Sequence, residues 1–168
     1  KDAEGNRLLA SDDLREALIT TSESNRLGIL RLIANWAEEN EDCAAQTVEF
    51  LHWVWPRQLA VRSPAASSAL TEIALRSGDR MPETTAAVLS VLETTAEQIN
   101  AMPHVRRTKD DQISKFPEEH LALFFAILPE DKILWPWGMG QVIERLSDVS
   151  ELKNDPRLSE LRRRLART

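Results

Sequence analysis

The chain has 168 residues, 42% hydrophobic and 29% charged, with a formal net charge of -6 and a pI near 5.2. That length suffices for one domain, or a short run of stacked repeats, with a real core. The acidic balance argues against sequence-independent nucleic-acid binding, which is driven by basic surface. No apolar run approaches the roughly 18–20 residues that span a bilayer, and the single cysteine, Cys43, forms no internal disulfide that would mark an oxidising compartment. The first residue is Lys1. The expectation is one cytoplasmic α-helical domain over 1–168, excised from a longer protein, with 1–10 loosely ordered.

Ala, Leu, Glu and Arg abound, and among the aromatics there are five Trp, four Phe and no Tyr. That balance favours helix over strand. Ser11-Asp12-Asp13 offers a cap and two acids for a first short helix carrying Leu14, Ala17 and Leu18. A second helix is predicted over 24–38, with Ile29, Leu30, Ile33, Trp36 and Ala37 at the 3.6-residue period and Leu27 and Leu32 widening the apolar face. Residues 39–42 read as its turn, with Asp42 as the next cap. A third helix over 43–55 places Ala44, Val48, Leu51, Val54 and Trp55 on one face, and Pro56 ends it nearby.

Ser63-Pro64 opens a fourth helix carrying Leu70, Ile73 and Ala74, which ends at Gly78, a residue suited to a left-handed C-cap. Pro82 opens a fifth, with Val88, Leu89, Leu92, Ala96 and Ile99 as its stripe. Residues 100–115 read as the longest irregular stretch. Pro117 opens a sixth helix with Leu121, Phe124, Phe125 and Leu128 on one face, stopped by Pro129. After a loop containing Trp135-Pro136-Trp137-Gly138, a seventh helix carries Met139, Val142, Ile143, Leu146 and Val149. Asp155-Pro156 caps an eighth with Leu158, Leu161 and Leu165. All eight prolines fall at predicted helix boundaries, so local and global signals agree.

The fifth and sixth helices are two writings of one pattern. Aligning Met81-Pro82-Glu83 with Phe116-Pro117-Glu118 pairs Val88 with Leu123, Leu89 with Phe124 and Leu92 with Ile127. Recurrence at roughly 35–45 residues is the mark of helix-pair repeats. The predicted fold is therefore all-α: a right-handed HEAT-like stack of antiparallel helix pairs, a short α-solenoid. An irregular helical bundle is the alternative.

No catalytic, cofactor or metal motif is evident. His52, His104 and His120 lack a second His or Cys at i+3 or i+4. The acidic run beside Cys43 disfavours its thiolate, and Gly138-Met139-Gly140 lacks the residues of a phosphate loop. No catalytic, cofactor-binding or metal residue is nominated, and no enzymatic activity is expected. The partner-binding candidates are Trp53, which falls off the stripe of its helix, and Trp135 and Trp137, which flank a proline in a loop; tryptophan is enriched at binding hot spots. For nucleic acid the candidates are Arg106, Arg107 and Lys109, and Arg162, Arg163 and Arg164.

The order of Trp55-Pro56-Arg57-Gln58 through Ser63-Pro64, Gly78-Asp79-Arg80 with Pro82-Glu83, Pro117-Glu118, Trp135-Pro136-Trp137-Gly138 and Asp155-Pro156-Arg157 resembles the helical terminal region of large bacterial multidomain proteins, some in antiphage defence. The resemblance spans about 55–164 and carries no catalytic residue across. It implies a HEAT-like helical region of a protein whose enzymatic or nucleotide-binding module lies elsewhere. The helical array itself leads us to expect a non-enzymatic scaffold domain whose partner is another protein or another part of the parent chain. The alternative function is a nucleic-acid-sensing helical domain using the basic segments.

Overall fold

The computed structural model describes residues 12–56, 64–93 and 110–166, and they are helical, with no strand among them. The helices are α1 (Asp12–Thr20), α2 (Glu23–Glu39), α3 (Glu41–Glu49), α4 (Pro64–Arg76), α5 (Met81–Glu93), α6 (Asp110–Lys115), α7 (Pro117–Ile127), α8 (Met139–Ser147) and α9 (Pro156–Ala166). Residues 57–63, Ala96, Ile99, Arg106, Arg107 and Lys109 lie outside the described residues.

Helix starts follow their capping chemistry. The Ser22 hydroxyl accepts from the Asn25 N–H (3.3 Å) at the start of α2. At the start of α3 the cap is Asn40, whose Oδ1 accepts from the Cys43 N–H (3.0 Å). This corrects the expectation of Asp42: Asn40 is the residue with extended backbone, while Asp42 lies within the first helical turn, where its charge favours the dipole. Pro64, Pro117 and Pro156 are first residues of their helices, and Pro82 is the second of α5. Gly78 ends the α4 segment with φ +54, as a left-handed terminator should.

At the start of α9, Asp155 Oδ1 accepts from the Arg157 N–H (2.7 Å), and its other oxygen accepts from Arg157 Nη2 (2.7 Å). The Arg157 side chain, through those hydrogen bonds, holds the Asp155 carboxyl below its ordinary range. Asp155→Ala removes cap and ion pair together and is expected to lower unfolding free energy by about 1–2 kcal/mol in urea titrations.

Three features depart from the sequence expectation. Helix α3 does not run on as an α-helix; residues Phe50–Val54 form a π turn, closed by the Trp55 N–H donating to the Phe50 carbonyl (2.8 Å). The wider turn advances each residue by a smaller angle. Phe50, Leu51, Val54 and Trp55 are thereby buried, while Trp53 points out. Within the stretch predicted to be irregular, residues 110–115 form α6, which buries Ile113 and packs on α7 and α8. Leu32, assigned to the apolar face of α2, is 68% exposed, because neighbours cover only the side bearing Leu30, Ile33, Ala34 and Ala37.

One contiguous core joins the helices. Helix α2 packs on α3 and α4, and α4 on α5, with α3 against α5. Beyond them α5 meets α7, α6 packs on α7 and α8, and α9 packs on α7 and α8. The residues paired in the repeated pattern meet this core: Val88, Leu92, Leu123, Phe124 and Ile127 are buried, and Leu89 is half-buried.

Three ion pairs join elements far apart in sequence. Arg76, near the end of α4, reaches Glu38 (3.2 Å) and the Asn35 side-chain oxygen (2.6 Å) on α2. Lys115, at the end of α6, pairs with Asp79 between α4 and α5. Arg157, at the start of α9, pairs with Glu118 at the start of α7. Their sequence separations are 38, 36 and 39 residues.

Candidate functional site

The connection between α7 and α8 combines a fixed frame with outward apolar side chains. Leu128 leaves α7 in extended backbone, and Pro129 beside it is buried. The Trp135 indole N–H donates to the Pro129 carbonyl (2.7 Å), closing the loop on itself. Asp131 Oδ1 accepts from the Ile133 N–H (2.9 Å), shaping the short 3-10 turn Lys132–Leu134. Lys132 Nζ donates to the Leu165 carbonyl at the end of α9 (3.0 Å). At the far end, Gly138 takes φ +86, the Met139 N–H donates to the Pro136 carbonyl (3.1 Å), and Met139 is buried. A side chain at Gly138 would be strained by that backbone.

On this frame Ile133 is 85% exposed and Trp137 is 86% exposed, with Leu134 also exposed. Trp135 and Trp137, two residues apart, therefore have different surroundings. Trp135 is half-buried against the core with its N–H on a carbonyl, whereas Trp137 offers its surface to solvent. Trp53, on the π turn, is 76% exposed. Carboxylates accompany both exposed tryptophans: Glu130 and Asp131 are exposed in the same loop as Trp137, and Glu49 is exposed four residues before Trp53. An isolated exposed hydrophobe is ordinary, but Ile133, Leu134 and Trp137 lie within five residues of a pinned loop.

The terminal arginines divide in the same way. Arg164 donates through Nε to Glu160 (3.0 Å) and through Nη1 to the Leu128 carbonyl (3.1 Å), and its guanidinium lies over the Phe125 ring. It fastens α9 to α7. Arg163 is exposed and pairs with Glu160 (2.6 Å), and Arg162 is exposed. Hydrogen bonds from Arg164 first, and then from Arg163, hold the Glu160 carboxyl below its ordinary range.

Two groups with reactive chemistry sit inside the fold. Cys43 is buried, and burial, then the charge of Glu39, raises its thiol. His120 is fully buried, and burial lowers its basicity. No group of three His, Cys, Asp or Glu among the described residues is placed to hold a metal ion. No described helix is long and apolar enough to cross a membrane.

Sequence reasoning reached Trp53 and Trp137 by composition and by their place outside the helical stripes. It did not reach Ile133 and Leu134, which read as ordinary loop residues. The signal available was the run Ile133-Leu134 between Asp131 and Pro136, apolar residues in a segment with no helical period to bury them. No protein-family model, curated protein or solved structure matches the chain.

Proposed function

We propose that this chain is a non-enzymatic protein-interaction scaffold, part of a larger bacterial protein as its resemblance implies, built as a short HEAT-like stack of helix pairs. The pairs are α2 with α3, α4 with α5, α6 with α7, and α8 with α9. In such a stack each helix touches its pair-mate and the corresponding helix of the next pair. The contacts of α2 with α4, α3 with α5, α5 with α7, α6 with α8 and α7 with α9 agree with that rule. The ion pairs support it too. Glu38–Arg76, Asp79–Lys115 and Glu118–Arg157 each join one pair to the next, always near the short turn within a pair. In this reading Trp53 enters one connection between pairs and Trp137 lies within another.

The observation that carries the function is the exposed trio Ile133, Leu134 and Trp137 on a loop held by the Trp135, Asp131 and Lys132 hydrogen bonds. A pinned apolar loop presents contact area at low entropic cost on binding. The test is a pull-down from host lysate with and without nuclease and at two salt concentrations, comparing the chain with its Trp137→Ala variant. Because Trp137 is exposed, the variant is expected to unfold within about 0.5 kcal/mol of wild type, while a defined protein partner is lost from the recovered material. Recovery of nucleic acid that falls steeply with salt, and only without nuclease, would favour the arginine-based alternative instead.

A further inference from the structure

We propose that the surface around Trp137 docks a basic, apolar segment of its protein partner, one in which arginine or lysine alternates with leucine-like or aromatic residues. This rests on the reading of the loop as an interaction surface. The argument is charge complementarity around an apolar anchor. In the loop that presents Ile133, Leu134 and Trp137, the exposed charged residues are Glu130 and Asp131. The one cation there, Lys132, is half-buried and directs its ammonium to the Leu165 carbonyl at the end of α9. Its ammonium faces the α9 terminus, and with two carboxylates against one ammonium the loop keeps a net charge of -1.

The same pairing of exposed tryptophan and exposed carboxylate recurs at Trp53 with Glu49. The whole chain is acidic as well, at -6. Such a surface repels phosphates, which disfavours nucleic acid and anionic lipid as occupants. It attracts a cationic segment from a distance and holds it once apolar side chains meet Ile133 and Trp137. Tryptophan also receives arginine or lysine over its ring. A partner of this kind gains from both features at once, whereas an acidic apolar segment would gain from one and lose to the other.

The experiment is selection of a random linear peptide library displayed on phage against the whole 168-residue chain, run in parallel against Trp137→Ala. The affinity of the most enriched peptide is then measured for wild type, Trp137→Ala and Glu130→Gln. Circular dichroism melting of the variants confirms that they are folded. The expected result is enrichment, on wild type only, of peptides combining Arg or Lys with Leu or aromatic residues. Their affinity should fall about tenfold or more in Trp137→Ala, with a smaller, salt-sensitive loss in Glu130→Gln. Enrichment of acidic or uncharged apolar peptides that depend on Trp137 would overturn the charge assignment and leave the interaction surface standing. Peptides enriched equally on both proteins, or no enrichment on either, would overturn both.

Discussion

Phe124→Ala should lower the unfolding free energy by about 3–5 kcal/mol, measured as the urea midpoint at unchanged slope. Phe124 is fully buried at the middle of α7, the helix that meets α4, α5, α6 and α9. Truncation leaves a cavity walled by several helices whose backbones are fixed by their own hydrogen bonds, so collapse is only partial. Domains are commonly stable by only about 5–15 kcal/mol, so this one substitution removes a large share. Leu89→Ala, at the position that matches Phe124 in the repeated pattern, should cost clearly less because Leu89 is only half-buried. Equal costs at the two positions would show that the repeat is symmetric in packing as well as in sequence.

Acidification should destabilise the chain through His120. Its Nδ1 lies 2.6 Å from the Phe116 carbonyl, which accepts, so Nδ1 carries the proton in the neutral ring. The other nitrogen, Nε2, is buried with no hydrogen-bond partner among the described residues, and the ring packs beside Phe124. Protonating Nε2 would place a charge in the core with no counter-ion among the described residues, so burial lowers the folded-state pKa from its ordinary 6.5. Above about 6.5 both states hold neutral imidazole and the group makes no pH-dependent contribution. Below it the unfolded chain binds a proton that the folded chain refuses. Stability then falls with pH, at up to about 1.4 kcal/mol per pH unit, until the folded ring titrates as well.

The measurement is urea unfolding at pH 7 and pH 5 for wild type and His120→Leu. Wild type should lose stability across that interval, and the variant should lose less. Equal losses would show that His120 is not the responsible group. The Asp155 carboxyl titrates in a separate, lower window. Held below its ordinary 3.8 by Arg157, it contributes stability above that value and loses it as pH falls through the folded pKa.

Helix identity and most helix starts were legible in the sequence because they depend on short-range chemistry. A proline fits the first turn of a helix wherever it stands, and Pro64, Pro117 and Pro156 begin helices as read. Gly78 adopts the left-handed backbone that only glycine takes at little cost. The stripes of α7, α8 and α9 were likewise correct at Leu121, Phe124, Met139, Ile143, Leu146, Leu158 and Leu161, all buried. Periodicity over three turns outweighs any single ambiguous residue.

Tertiary structure decided what periodicity cannot reach. Six residues with one apolar side chain, Ile113, show no period, so α6 becomes legible only once α7 and α8 supply a surface for it. Residue spacing does not announce a π turn either: the predicted stripe holds Trp55 and leaves out Trp53, but it also leaves out Phe50, which is buried in the turn Phe50–Val54. Leu32 is apolar but has no neighbouring helix on its side. Trp135 and Trp137 are the same residue type two positions apart, and only the Pro129 carbonyl and the core beneath separate their roles. The sequence by itself determined that the described residues are helical and where most of their helices begin, because caps, prolines and stripes act within a turn or two. Which large side chains remain on the surface was decided by tertiary structure alone, because burial depends on partners that lie far away in sequence.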